Sequence, residues 1–301
     1  MSRTANIHIM IQKRCFILAI MVLCASVLSA QTEPDTCYWT GKGLFSVNLS
    51  QVSLTNWAAG GENTVGFDVL MNYSLDYKKD KTIWQNRLEM NYGMNDMETS
   101  GTRKTNDKLY FSSTYGYEIA KNLYLSSLLT FETQFDEGFN YSTNPYTLIS
   151  KFMSPGYLTV GLGLTWTPKP WFKATYTPAT WRGTFVTDDE LSAQGAFGVD
   201  PGEHLYSAFG SNLKMEYEQE IMENIKLYSR LELFSDYLDE PKNVDVKWDV
   251  QITMAVNKWF STNISTNLIY DNDIKMLQDD GTKGPRTQFK EALAVGFKFD
   301  F

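Results

Sequence analysis

The chain has 301 residues, of which 43% are hydrophobic and 14% aromatic, and its formal net charge is −8 at pH 7. The acidic balance argues against nucleic acid as a partner, because binding to phosphates depends on patches of Lys and Arg. Of the three cysteines, Cys37 alone lies beyond the first thirty residues, so no disulfide framework is expected.

The first thirty residues have the pattern of a secretory signal peptide. A basic start precedes an apolar run over residues 15–27, which is shorter than the roughly twenty residues of a membrane-spanning helix. Cys24 suggests a lipoprotein as an alternative, but Leu23 occupies the position where a lipoprotein signal needs a small residue. We therefore predict a cleaved signal peptide at 1–30, followed by a periplasmic leader at 31–42.

The remaining residues, 43–301, are predicted to form a single all-β domain, because their side chains alternate between apolar and polar. Strand side chains have a period of two, so each alternating segment gives a strand with one apolar and one polar face. The final segment is the clearest, with Phe297, Phe299 and Phe301 opposite Lys298. About twelve strands are predicted, of which the first and the seventh alternate poorly: 43–55, 64–77, 82–95, 107–119, 123–135, 156–167, 171–186, 205–220, 224–238, 244–256, 260–273 and 287–301.

Loop lengths separate a membrane barrel from a soluble sandwich or a lipocalin-like barrel. Alternate connections are tight, as at 120–122 and 168–170, and most of the others are long, as at 97–106 and 136–155. This sorting is typical of outer-membrane barrels, in which both termini lie on the tight-turn, periplasmic side. We therefore predict a transmembrane antiparallel β-barrel in the bacterial outer membrane, surrounded by outer-membrane lipid.

The positions of four tryptophans agree with this division into a tight-turn side and a long-loop side. Trp84, Trp166, Trp171 and Trp259 all lie within a few residues of predicted tight turns. Such positions suit an aromatic girdle at the periplasmic membrane surface. The alternative is that these side chains are core tryptophans at strand ends.

The segment Ser50–Asn63, SQVSLTNWAAGGEN, resembles the opening motif of an uncharacterised outer-membrane β-barrel family widespread in Bacteroidota, domain of unknown function 3078. The resemblance is predicted to cover essentially the whole mature chain, and it implies an outer-membrane location without implying an activity. Further matches are Tyr92–Gly93, Arg103–Asp107, Thr133–Phe135, Pro155–Leu158, Gly198–Glu203, Leu233–Tyr237 and Tyr270–Asp271.

Two groups of residues have an expected structural role. The last strand resembles the signal that the barrel-assembly machinery recognises, here carried by Phe297, Phe299 and Phe301. The first outer turn is predicted to contain Trp57, either as an interface anchor or as a small plug in the lumen. Its neighbours can adopt the positive φ angles that an irregular reversal requires, and they are Asn56, Gly60 and Gly61.

The polar faces of the predicted strands carry charges of both signs. Charges away from bulk water need partners, so a network of ion pairs would stabilise the wall of the barrel. Alternatively, a twelve-stranded barrel could leave a narrow solute path, and the acidic excess would then favour cations or neutral molecules. The predicted lumen charges are Asp68, Arg87, Glu89, Glu132, Lys214, Glu216, Arg230, Glu232, Asp245, Lys247, Asp249 and Lys298.

Catalysis, cofactors and metal binding are not expected. His204 is a weak catalytic candidate, because Ser207 would have to lie within hydrogen-bond reach of it. The acidic segments at 188–190 and 271–280 could bridge a divalent metal, but surface acids are usually solvated. We predict a small-solute channel or lumen-binding transporter, with a closed structural or surface-interaction barrel as the alternative and a surface hydrolase third. The sequence leaves the solute, the oligomeric state and any partner of the outer loops undetermined.

Overall fold

The computed structural model describes residues 37–53, 63–277 and 282–301. Within these residues the chain forms sixteen strands, the short α-helix α1 (Asp189–Ala193) and a 3₁₀ turn (Ala196–Gly198). No helix in the described ranges is long and apolar enough to cross a membrane. The strands are β1 (Trp39–Val52), β2 (Thr64–Lys79), β3 (Thr82–Met97), β4 (Gly101–Ala120), β5 (Leu123–Thr133), β6 (Gly138–Asn140), β7 (Thr147–Ser150), β8 (Gly156–Lys169), β9 (Phe172–Phe185), β10 (Leu205–Met222), β11 (Ile225–Asp236), β12 (Asp245–Ala255), β13 (Phe260–Tyr270), β14 (Lys275–Leu277), β15 (Lys283–Pro285) and β16 (Gln288–Asp300).

Twelve of these strands close into an antiparallel barrel. Their order around the barrel is β1, β2, β3, β4, β5, β8, β9, β10, β11, β12, β13 and β16, and β16 pairs with β1 to complete the ring. The other four strands form two small ribbons, β6 with β7 and β14 with β15, in the connections between barrel strands. The predicted all-β barrel of about twelve strands is confirmed, although β1 begins at Trp39, earlier than predicted.

The two faces of each barrel strand differ as the alternation predicts. On β16, Leu293 is 68% exposed and Phe297 is 53% exposed on the outside of the barrel. The lumen side of the same strand carries Lys290 and Lys298, which line internal cavities. A barrel that is apolar outside and polar inside is suited to a lipid environment.

One predicted long connection is wrong. Residues 97–106 were expected to form an outer loop, but β4 begins at Gly101 and pairs with the end of β3. The loop is therefore only three residues long, with a register shift next to Gly93. Residues 101–106 of β4 read GTRKTN and contain no large apolar side chain, so periodicity alone could not identify this part of the strand.

A β-bulge explains why the seventh predicted strand, β9, alternates poorly. Thr177 and Thr180 both point inward and are fully buried, although three positions separate them. The pairings of β9 with both neighbouring strands shift at this point, since β9 has one extra residue. Pro178 occupies the bulge, where its missing N–H interrupts no ladder bond.

Gly163 on β8 faces the bulge, and its lack of a side chain permits the close approach of β9. A Cβ atom at this position would overlap the carbonyl oxygen of Tyr176 and lie 2.6 Å from the Cα atom of Thr177. Both obstacles are backbone atoms, so neither can move aside by a rotamer change.

Replacement of Gly163 by alanine is therefore expected to lower the free energy of unfolding by about 1–3 kcal/mol, a typical cost of overpacking. The matched control is Gly116→Ala, whose new Cβ would have its nearest contacts with side-chain atoms of Ser126 and Tyr124, both at 3.0 Å. Those contacts are longer and involve no backbone atom, so the control should lose less. Urea unfolding in lipid vesicles measures both, and equal stability of Gly163→Ala and wild type would contradict the explanation.

The barrel closes at a seam between β1 and the C-terminal residue. The Gly43 N–H donates to the Phe301 carbonyl at 2.7 Å, and the Phe301 N–H donates to the Gly43 carbonyl at 3.0 Å. The Phe301 ring covers Gly43 and stacks on Tyr73, with ring centroids 6.1 Å apart. Because Gly43 has no side chain, the Phe301 ring can lie directly over it.

The connection between β9 and β10 has a small core of its own. Val186, Leu191 and Val199 are buried, and Leu148 and Phe197 pack against them. Asp188 caps α1 by accepting hydrogen bonds from the backbone N–H groups of Glu190 and Leu191, both at 3.1 Å. The Leu191 N–H and the Lys151 ammonium group lower the pKa of Asp188 below its ordinary value.

Replacement of Asp188 by alanine is expected to destabilise this connection locally by about 0.5–2 kcal/mol, the usual cost of losing an N-cap. Because the folded pKa is lowered, the cap stabilises above pH 3.8 and its contribution is lost as the pH falls through the folded value. Hydrogen exchange of residues 186–204 measures the effect, with Asp188→Asn as the pH-independent capping control. Unchanged exchange in Asp188→Ala would refute this role.

Candidate functional site in the barrel lumen

The middle of the lumen contains a buried group of five charged side chains, which we call the central ion cluster: Arg87, Glu89, Lys108, Arg230 and Asp249. Arg230 is 1% exposed, donates to Glu89 at 2.8 Å and also bonds to Asp249. Lys108 donates to Asp249 at 2.9 Å, and Arg87 donates to Glu89 at 2.7 Å. Each charge in the cluster therefore has a partner of opposite sign, as burial requires.

The central ion cluster joins opposite walls of the barrel. β3 and β11 are six places apart in the ring of twelve strands, and so are β4 and β12. The bond from Arg230 on β11 to Glu89 on β3 crosses the lumen, as does the bond from Lys108 on β4 to Asp249 on β12. The cluster therefore fills part of the barrel cross-section.

Two tyrosine rings pack against the guanidinium groups of the central ion cluster. The Arg230 guanidinium lies 3.7 Å from the centroid of the Tyr110 ring, and the Arg87 guanidinium lies 3.8 Å from that of Tyr228. The Tyr110 hydroxyl donates to Glu232 at 3.0 Å. These cation–π contacts hold both guanidinium groups in place in addition to their ion pairs.

Polar side chains pack against one another on the side of the lumen next to β8, β9 and β10. Lys214 is buried there and donates to the Ser112 hydroxyl at 2.7 Å. Thr165 and Thr175 share a hydrogen bond of 3.0 Å. Toward the tight turns, a cavity of about 720 Å³ remains on this side and is lined by residues that include Thr167, Lys173 and Glu216.

Two further cavities lie on either side of the cluster. A loop-side cavity of about 420 Å³ reaches Tyr157, Asn267 and Lys290, near the long connections. A turn-side cavity of about 620 Å³ reaches Lys226 and Phe301, near the tight turns.

The loop-side and turn-side cavities share three lining residues, which we call the constriction: Asn72, Tyr228 and Gln251. The Asn72 side-chain nitrogen donates across the lumen to the Gln251 side-chain oxygen at 3.3 Å. A single hydrogen bond between two neutral amides thus lies where the cavities meet. Such a bond is weaker than the ion pairs beside it.

The structure places all twelve predicted lumen charges at inward-facing positions. Asp68 accepts hydrogen bonds from Asn48 and Asn106, and Glu232 interacts with Tyr110 and Arg230. The other predicted charges form these pairs: Arg87–Glu89, Arg87–Glu218, Arg230–Glu89, Arg230–Asp249, Lys247–Glu132, Lys214–Glu216, Lys173–Glu216, Arg182–Asp245 and Lys298–Asp300.

Sequence reasoning missed several cations that face the lumen. Lys108, Lys173 and Arg182 pair with predicted acids on other strands. Lys173 and Arg182 lie on either side of the β9 bulge, where the alternation changes phase. Because these cations neutralise acids locally, the acidic excess of the chain does not make the lumen acidic.

The hydrogen bond between His204 and Ser207 that the catalytic hypothesis requires is not formed. His204 Nδ1 lies 2.7 Å from the Val186 carbonyl oxygen, and its Nε2 lies 3.7 Å from the exposed Asp189 carboxylate. The Ser207 hydroxyl accepts a hydrogen bond from Trp181 Nε1 at 2.6 Å. Among the described residues, His204 and Ser207 are therefore engaged with other groups.

The acidic segments give no metal site in the described ranges, where no group of three His, Cys, Asp or Glu side chains could hold an ion. Asp271 accepts a hydrogen bond from the backbone N–H of Asp273 at 2.8 Å, and Lys151 pairs with Asp188. Asp279 and Asp280 lie outside the described residues, as do the predicted first-turn residues Asn56, Trp57, Gly60 and Gly61.

The predicted aromatic girdle lies on the tight-turn rim. Trp84, Trp166, Trp171 and Trp259 are all exposed on the outside of the barrel, which excludes the alternative of core tryptophans. Trp39 joins them, with its ring centroid 5.6 Å from that of Trp84.

Two family models match parts of the chain. Residues 49–139 match a protein of unknown function (DUF3078), and residues 179–293 match a second protein of unknown function (DUF481). The first match agrees with the family that the sequence motifs resemble, but over a shorter range than predicted. Neither match covers half of the chain, and no curated protein is significantly similar to it.

Solved structures with a similar arrangement are outer-membrane barrels. An outer-membrane channel from Pseudomonas putida F1 is 8% identical with a TM-score of 0.39, over 90% of this chain and all of that one. The translocator domain of the autotransporter NalP from Neisseria meningitidis is 10% identical with a TM-score of 0.35, over 96% and 97% of the two chains. The NanC porin is 9% identical with a TM-score of 0.35, over 86% of this chain and all of that one. At these scores the likeness carries no argument about function.

Proposed function

We propose that this protein is a bacterial outer-membrane barrel that passes a small solute through its lumen. The observation that carries the proposal is the meeting of the loop-side and turn-side cavities at the constriction. The 3.3 Å hydrogen bond between Asn72 and Gln251 lies there, next to Tyr228. A weak, neutral contact between two polar cavities is a suitable gate for a narrow channel.

The membrane assignment within this proposal rests on the outer surface of the barrel. Large apolar side chains are exposed on the outward faces of β1, β2, β5, β8, β12 and β16. Exposed apolar patches of that extent require a partner, and lipid suits a closed band around a barrel. The tight-turn rim, with its tryptophans and both barrel ends, is proposed to face the periplasm. Phe297, Phe299 and Phe301 are proposed as the signal for the barrel-assembly machinery.

The test is single-channel conductance of the purified protein in planar lipid bilayers. We expect a small conductance for the wild-type protein and a larger one for Asn72→Ala/Gln251→Ala, because the double variant removes both amides from the constriction. The control is Ser113→Ala/Ser229→Ala, which removes two hydroxyl groups that accept hydrogen bonds from outward tryptophans.

Absence of conductance in both the wild-type protein and the double variant would contradict the proposal. It would favour the second candidate, a structural or surface-interaction barrel with a closed lumen. The central ion cluster is the observation that supports this candidate, because its side chains link opposite walls of the barrel.

A further inference from the structure

We propose that the loop-side cavity binds a neutral, polyhydroxylated solute of about the size of a monosaccharide. This proposal rests on the proposed function, because it names the solute class for the same lumen. The cavity volume of about 420 Å³ lies within the range of roughly 300–1,000 Å³ that small-molecule sites occupy.

Most of the charges that line the loop-side cavity are engaged with one another, and Lys290 donates instead to two neutral groups, the Thr105 carbonyl oxygen and the Asn106 side-chain oxygen. Glu132 pairs with Lys247, Asp249 pairs with Lys108, and Asp107 pairs with Lys104. The remaining acid, Glu89, belongs to the central ion cluster. A cation would have to break one of these pairs or remain unpaired itself, and an anion would have to draw Lys290 away from the two oxygens that it bonds to. Both are costly away from bulk water, so the cavity selects against net charge of either sign.

The lining of the loop-side cavity is also rich in side-chain amides, each of which has hydrogen-bond donors and an acceptor. Within the described part of the chain, the Asn72 side-chain oxygen and the Gln251 side-chain nitrogen have no hydrogen-bond partner, although the two amides bond to each other through their other atoms. A hydroxyl group both donates and accepts, so one hydroxyl can satisfy both atoms. The amides that line the cavity are Asn72, Asn91, Asn106, Gln134, Gln251 and Asn267.

The experiment uses three probes of similar size: glucose, gluconate and glucosamine. Titration calorimetry of the full protein in detergent is expected to show glucose binding, with gluconate and glucosamine at least about tenfold weaker, a difference of about 1.4 kcal/mol. Asn72→Asp/Gln251→Glu places acids at the constriction and should weaken glucose binding at least about tenfold. The matched control, Gln194→Glu, adds an acid on the outer connection and should bind glucose as the wild type does.

Equal binding of the three probes, no glucose binding by the wild-type protein, or unchanged glucose binding in the double variant would overturn the inference. Liposome swelling in glucose tests the proposed function separately. Binding without swelling would refute passage and leave the binding site standing. Swelling without selective binding would refute the binding site and leave passage standing.

Discussion

Replacement of Arg230 by alanine is expected to lower the free energy of unfolding by about 3–5 kcal/mol, the cost of breaking a buried ion pair by removing one partner. Glu89 would retain its contact with Arg87 but lose its link across the lumen, and Asp249 would retain Lys108 across the lumen but lose its partner on the neighbouring strand β11. The Tyr110 ring would also lose the guanidinium 3.7 Å from its centroid. Urea unfolding in lipid vesicles, followed by tryptophan fluorescence, measures the change.

The control for this variant is Lys226→Ala. Lys226 lines the turn-side cavity and pairs with Glu218 at 2.5 Å, but its side chain is largely exposed. Exposed ion pairs contribute only about 0–1 kcal/mol, so the control should remain close to wild type. A second variant, Arg230→Met, retains much of the side-chain volume without the charge and separates packing from electrostatics. Similar small losses in all three variants would show that the central ion cluster does not hold the walls together.

Deletion of Phe301 is expected to have the next largest effect, a loss of about 2–4 kcal/mol from two backbone hydrogen bonds and one aromatic contact. Both backbone bonds join Phe301 to Gly43 where the barrel closes. Phe301→Ala retains them and loses only the ring contact with Tyr73, so its expected loss is about 0.5–1.5 kcal/mol. The folded fraction, measured by heat-modifiable migration on gels, should be highest for the wild-type protein, lower for Phe301→Ala and lowest for the deletion.

Gly43→Ala provides an independent check on this seam. The added methyl group would overlap the Phe301 ring and displace it from Tyr73. We therefore expect Gly43→Ala to resemble Phe301→Ala rather than the deletion. Equal folded fractions for the deletion and the wild-type protein would show that the terminal residue does not stabilise the closed barrel.

The sequence was sufficient to predict the barrel because the signal for it is local. Each strand carries its own alternation, and the turn residues lie between alternating segments. β12 illustrates this, since Trp248 is exposed outside while the next residue, Asp249, is buried in the lumen. Strand number and orientation follow from such patterns without knowledge of any tertiary contact.

The β9 bulge shows where local patterning fails. One inserted residue changes the phase of alternation, so no single face assignment fits the whole strand. Pro178 was a signal for the irregularity, because proline within a strand is confined to edges, first positions and bulges. With that phase change included, Lys173 and Arg182 would both have been placed in the lumen.

The candidate site could not be predicted because its contacts are distant in sequence. Asn72 and Gln251 lie on predicted polar faces, yet nothing in the chain indicates that they meet across the lumen. Tyr110 and Tyr228 were missed for a different reason, since aromatic side chains in a barrel are expected to face lipid. The available signals were that Tyr228 lies two positions from Arg230 on the same strand and that Tyr110 pairs with the inward-facing Glu132, and the second of these requires the strand pairing to be known.

We predict that the apolar flank of each barrel strand faces lipid and that the polar flank faces the lumen. Site-directed spin labelling along β16, in a Cys37→Ser background and in lipid vesicles, tests it most directly. Labels at Leu293, Val295 and Phe297 should collide readily with dissolved oxygen, and labels at Ala292, Ala294 and Lys298 should not. Oxygen accessibility that fails to alternate, or that alternates in the opposite phase, would contradict the claim.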